Sequence, residues 1–185
     1  MSYIMRIHRV TCIGLLGALS AGGCFLVDQQ STENLGRVAV SASLSIDTCG
    51  PGTVSAGPSL EYEVNLERQG STLMWNGPSG RFTGTLSGDD RFCIELDRGW
   101  HVRDADPWLE DPGCDMSQIE RLCGTIVTEE REDGAEEVAS LTARHEVFVS
   151  SNPGSNCVEL VGITQGQYLT LPCQVIYEMT GTPAE

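Results

Sequence analysis

"VAVSASLSI", Val38 to Ile46, places Val38, Val40, Ala42, Leu44 and Ile46 on one side of an extended chain and Ala39 and three serines on the other. A repeat of two residues is the signature of a strand with one buried and one wet face. The same alternation recurs downstream. In "LEYEVNLE" the apolar set is Leu60, Tyr62, Val64 and Leu66. "TLMW" ends on Trp75, "RFTGTL" carries Phe82 and Leu86, and "RFCIEL" carries Phe92, Ile94 and Leu96. Gly77-Pro78 and Gly88-Asp89 separate these runs as turns.

The C-terminal half continues the pattern. "QIERLCGTIVT" (118–128) reads as a strand whose buried face is ambiguous. "VASLTARHEVFV" aligns Ala139, Leu141, Ala143, Val147 and Val149, with His145 on the same face. "YLTLPCQVIYEM" aligns Leu169, Leu171, Cys173, Val175, Tyr177 and Met179. "CVELVGITQ" (157–165) fits either a strand or two helical turns. Two stretches are irregular: a long insertion, Arg98 to Ser117, and an acidic hairpin tip, Glu129 to Glu137, turning at Asp133-Gly134. No amphipathic helix of ordinary length is present. The expectation is an all-β domain, an antiparallel meander of about eight or nine strands forming a barrel or a sandwich. Pro172 inside an apparent strand calls for an edge or a bulge.

The first residues are of another kind. Arg6, His8 and Arg9 precede an apolar stretch, Val10 to Ala21, that is too short for about 30 Å of hydrocarbon. It fits the apolar region of an export signal ending in small residues. Ser20, Ala21, Gly22 and Gly23 then lead into Cys24. Leu19 to Cys24 resembles the lipobox of bacterial lipoproteins, although Ala21 stands where leucine is usual. The resemblance implies cleavage before Cys24, a diacylglyceryl group on its thiol, acylation of the new amine and firm anchoring in the bilayer. Phe25 rather than aspartate after that cysteine implies the outer membrane. The resulting division is a signal at 1–23, a polar tether at 24–36 and a single β-domain at 37–185. The plain alternatives are an unlipidated secretory signal, an uncleaved anchor and a core helix, the last weakened by four glycines at about 1 kcal/mol each.

Without its leader the chain has nine arginines, no lysine and 26 acids, a formal net charge of −17. Nucleic-acid binding needs clustered cations and is excluded on that ground. Of eight cysteines, Cys12 leaves with the leader and Cys24 takes lipid. The remaining six, in an exported chain, read as a disulfide framework. One scheme joins Cys157 to Cys173, Cys93 to Cys123 and Cys49 to Cys114. Its rival joins Cys49 to Cys93 and Cys114 to Cys123. No C-x-x-C spacing favours a metal.

Signatures of chemistry are few. No nucleophile elbow, zinc-protease helix, P-loop or dinucleotide fingerprint occurs, and no cofactor is implied. Asp104, Asp106, Glu110, Asp111 and Asp115 cluster in the insertion. They read as a solvated loop held by Cys114, with calcium ligation as the alternative. Trp100 and Trp108 flank them and are expected to pack the insertion against the domain, or else to meet a carbohydrate or a partner. His145 could act as a base only with a partner that the sequence does not name. The composite expectation is a non-enzymatic envelope lipoprotein that binds a protein partner or scaffolds an assembly. The alternatives are a small-ligand carrier of lipocalin type, because an eight-stranded barrel can hold one small ligand, and an envelope hydrolase using carboxylates or His145.

Overall fold

The computed structural model describes residues 31–51, 54–162 and 166–184. The leader, Cys24 and most of the expected tether lie outside the described residues. Eight strands follow one another: β1 (Glu33–Asp47), β2 (Ser59–Gln69), β3 (Thr72–Gly77), β4 (Gly80–Leu86), β5 (Arg91–Arg103), β6 (Cys114–Glu130), β7 (Glu136–Ser151) and β8 (Cys173–Pro183). Each pairs antiparallel with its neighbours, and β8 returns to β1, so the sheet closes as a barrel. Of the two architectures open to the sequence, the barrel is the one adopted. Closure leaves no sheet edge.

The alternating faces come out as expected over most of their length. Val38, Val40 and Ala42 of β1, Val64 and Leu66 of β2, and Leu141 and Val147 of β7 are buried inside. Three local shifts correct the simple pattern. A bulge between Asn34 and Gly36 lets Leu35 join the interior, so the first strand starts at Glu33, inside the stretch read as tether. Gly36 takes φ 99° there, a backbone conformation that favours glycine. A second bulge between Leu44 and Ile46 turns Ile46 to the outside. A third, between Val127 and Thr128, buries Val138 and leaves Ala139 half-buried.

The expected insertion is also shorter than 98–117. Arg98 pairs with Gln118, Gly99 with Ser117 and Trp100 with Met116, so both flanks extend the β5–β6 hairpin and leave 104–113 as the loop. Leu169 and Leu171 are not strand residues, because β8 begins at Cys173. Pro172 therefore lies just before the strand, at a cis peptide bond with Leu171, and not within it. Val158–Leu160 forms one turn of 3-10 helix, closer to the helical of the two readings of that segment.

The two ends of the barrel differ. At the end where β1 begins, the connections are short: 70–71, 87–90 and 131–135. Leu35, Leu66, Leu73, Ile126, Val138 and Leu141 are buried in that half. At the opposite end lie the long connections 48–58, 104–113 and 152–172, and the tight turn 78–79.

Two of three disulfides tie down those long connections. Asp47 pairs with Val175, and the same antiparallel register carried outward sets Cys49 opposite Cys173, to which it is bonded. Cys114 opens β6 and bonds Cys157, because the chain leaving β7 folds back along it: Asn152 N–H donates to Asp115 O at 2.8 Å and Asn156 N–H to Gly113 O at 2.7 Å. Cys93 and Cys123 are direct cross-strand partners on β5 and β6 and form the third bridge, as the first scheme has it. The other two pairs of that scheme, Cys157–Cys173 and Cys49–Cys114, are not formed, nor is the rival. The hairpin assumed between Cys157 and Cys173 does not exist. Residues 152–162 and 166–172 instead form turns, bends and one 3-10 turn, with a bridge between Val161 and Tyr168.

Peptide mapping without reductant is expected to recover linked peptides for Cys49–Cys173, Cys93–Cys123 and Cys114–Cys157. A Cys157–Cys173 peptide would contradict this topology. Replacing Cys49 and Cys173 together by alanine is expected to lower unfolding stability by about 2–4 kcal/mol, read from denaturant midpoints.

Candidate functional site

A cavity of about 530 Å³ occupies the half of the barrel nearer the long loops. That volume lies in the range of small-molecule sites. Its position follows from the size of inward side chains. The other half is filled by leucines, valines and an isoleucine. Here the inward positions of β2, β3 and β4 are Leu60, Tyr62, Trp75 and Phe82, which line the wall and do not meet across it. Trp75 and Phe82 are cross-strand partners, and Trp75 packs on Phe92 with ring centroids 6.1 Å apart. Leu122, Ile94 and Met179 complete the apolar surface from β5, β6 and β8. Ala56 from connection 48–58, Glu61 at the start of β2, and Pro78 and Ser79 of the β3–β4 turn border the opening.

That opening is kept in shape by Tyr177. Its phenol accepts a hydrogen bond from Ala56 N–H at 3.0 Å and donates one to Gly57 O at 2.9 Å. The β1–β2 connection is thereby pinned to β8 beside the mouth.

One polar pair faces the cavity. Glu120 of β6 and His145 of β7 both line it, with His145 Nε2 at 3.7 Å from Glu120 Oε2, an ion-pair separation longer than a direct hydrogen bond. Gln118 Nε2 donates to Glu120 Oε1, and Arg98 approaches the same oxygen at 3.8 Å. The His145 ring stacks on Tyr177, centroids 6.5 Å apart. His145 chiefly, then Gln118 and Arg98, hold the Glu120 carboxyl below the usual carboxylate range against the opposing effect of burial. Burial pushes the Tyr62 phenol up, so it stays neutral.

His145 thus has the partner that the sequence did not name. Glu120 escaped sequence reading for a physical reason. The inward face of β6 carries Gln118 and Glu120 beside Met116, Leu122 and Ile126, while Ile119 and Val127 face outward. Two polar residues inside and two apolar ones outside erase the alternation that identifies a buried face. The available signal was His145 itself, a titratable residue on an otherwise apolar face.

The acidic loop is a separate feature. Asp111 Oδ2 accepts from Arg103 at 2.7 Å and its Oδ1 from Gly113 N–H at 3.0 Å. Asp106 accepts from Trp108 N–H. Asp115 and Asp104 flank the His101 ring at 2.8 and 3.0 Å. Two carboxylate acceptors call for N–H on both ring nitrogens, so Asp115 first, and Asp104, raise the His101 pKa. These carboxylates serve arginine, histidine and backbone donors, and Glu110 is exposed. Among the described residues no group of three or more candidate ligands could hold a metal ion. Trp100 packs against the core as expected. Trp108 does not: it is 95% exposed, beside Leu109 at 76%. The loop turns between Asp106 and Asp111, and its tip faces solvent.

Comparison with known proteins finds no matching family model, no matching curated protein and no matching solved structure. The functional reading rests on this geometry and on the sequence.

The depressed pKa of Glu120 has a defined consequence. Its contribution to stability is complete above its unfolded value of about 4.3 and is lost as pH falls through the lower folded value. The difference in urea midpoint between the wild type and Glu120→Gln is therefore expected to shrink as pH falls below about 5. A difference that widens in acid would contradict the assignment.

Proposed function

We propose that this chain is a lipid-anchored envelope protein whose barrel carries one small, mainly apolar ligand. The observation that supports the carrier is the closed eight-stranded barrel with an aromatic-lined cavity of about 530 Å³ reached from one end. A barrel of this strand number has room inside for side chains or one small ligand. Here the interior is divided between the two: a packed core in one half and a cavity in the other.

The leader and Cys24 support the anchor, and Phe25 supports the outer membrane. The topology suits that arrangement. The chain enters β1 at the packed end, while the cavity opens at the other. β1 is 15 residues long, so a tether from Cys24 would hold the mouth roughly 35 Å from the anchored end, on the side away from the bilayer. Such a carrier would exchange its ligand with the aqueous space or with a partner. The exposed Trp108–Leu109 pair lies at this same end, and it supports a second reading, docking of an envelope protein there.

A neutral apolar fluorophore, N-phenyl-1-naphthylamine, is expected to bind the purified protein saturably at one site and to quench tryptophan emission. Leu122→Trp, which fills the cavity, and Ser79→Trp, which obstructs the mouth from a surface turn, are both expected to weaken binding at least about tenfold. Linear, unsaturable uptake, or full binding by both folded variants, would remove the carrier reading and leave the docking one.

Cys24→Ala is expected to move the protein from the membrane fraction to the soluble fraction after cell breakage. Retention in membranes would count against lipidation.

A further inference from the structure

We propose that the ligand is an apolar amine, a hydrocarbon or aromatic body bearing one ammonium group that sits against Glu120 with its body along Tyr62, Trp75 and Phe82. The proposal rests on the carrier reading and gives it a ligand class.

Charge is the first support. Glu120 brings a carboxylate to the cavity wall from β6. Two bases lie near. His145, on β7, lines the cavity with Nε2 3.7 Å from Glu120 Oε2. Arg98, on β5, lies 3.8 Å from Glu120 Oε1 with its side chain more than half exposed. Both are therefore already directed at Glu120, which leaves no cation of the wall turned to an incoming anion. A ligand carboxylate would approach a carboxylate that its neighbours keep ionised.

Geometry is the second support. Oε1 is shared by Gln118 and Arg98. Oε2 has His145 at ion-pair distance only, so it has room for a further N–H donor. An ammonium is three donors without an acceptor, which suits a carboxylate oxygen of that kind.

The wall is the third support. Tyr62 and Trp75 belong to the wall, and aromatic rings of this kind attract a cation, tryptophan most strongly, the more so where water is excluded. The phenol of Tyr62 adds no negative charge, since burial keeps it protonated. The molecule as a whole is acidic, and a field of that sign raises the local concentration of cations at a concave site.

Three matched ligands test the assignment: 2-(1-naphthyl)ethylamine, 1-ethylnaphthalene and 1-naphthylacetate, each titrated against bound N-phenyl-1-naphthylamine at neutral pH. The amine is expected to bind at least about tenfold more tightly than the neutral hydrocarbon, and the acetate more weakly than either. Glu120→Gln is expected to bring the amine to within about threefold of the hydrocarbon. Arg98→Ala, at an exposed position, is expected to strengthen the amine's advantage by freeing Glu120 of a competing cation. It supplies the test if the glutamine variant does not fold. Equal affinity for amine and hydrocarbon would overturn the ligand class while leaving the carrier intact, as would a preference for the acetate. An amine advantage untouched by both variants would overturn the role of Glu120. If the fluorophore itself does not bind, the carrier reading fails, and the ligand class with it.

Discussion

Pairing of β8 with β1 is the constraint on which the rest of this protein depends. Val40 lies opposite Gly181, Ala42 opposite Met179 and Leu44 opposite Tyr177. Without that ladder the meander would be an open sheet with two long unpaired edges and an apolar face in water. With it, every strand has two partners and the inward residues acquire a common interior. The approach is close at this seam. A Cβ added at Gly181 would stand 2.6 Å from Val38 Cγ1, and one at Gly124, between β6 and β7, would stand 2.2 Å from Thr142 O. Glycine at inward positions lets neighbouring strands curve toward one another where a side chain would hold them apart.

Closure also sorts the loops. An even number of antiparallel strands returns all hairpin turns of one kind to one end. Only short turns cover the packed half, and the long connections gather at the other end with the tight turn 78–79, where two disulfides hold them. Cys49–Cys173 prolongs the β1–β8 ladder by one covalent step, and Cys114–Cys157 ties the chain leaving β7 to the start of β6. These loops are held by the two bridges, by Tyr177, which spans from β8 to the β1–β2 connection, and by their own buried side chains Cys49, Cys157 and Tyr168, with Leu160 and Leu171 packed against the core.

The seam between β4 and β5 differs from the others. Thr85 with Cys93 and Leu86 with Phe92 are its registered pairs, so the upper parts of these strands separate on the side where Phe82 and Leu96 line the cavity. The interior there holds an ionised group in largely apolar surroundings. A lone buried carboxylate would be costly. Glu120 is tolerated because Gln118, Arg98 and His145 converge on it from three strands, and because the cavity leaves it partly accessible.

The sequence by itself determined the all-β class, the antiparallel order and most of the inward sets of β1, β2, β7 and β8. These are consequences of side-chain alternation, which is local. It also determined that six cysteines would pair, and one pair, Cys93–Cys123, was legible because both lie on adjacent strands flanking one hairpin. Cys49–Cys173 was not, since it depends on the first and last strands meeting, a fact about closure that no local pattern carries. The bulges at Asn34–Gly36 and Leu44–Ile46 flipped parity where nothing in the residues alone marks the extra step. Glu120 was hidden in the one strand whose alternation it breaks. Only the tertiary structure decided barrel over sandwich, brought Glu120 to His145, and left one half of the interior unfilled. Each of these depends on how far apart non-neighbouring strands are held, and that distance is set by the whole circumference of the sheet.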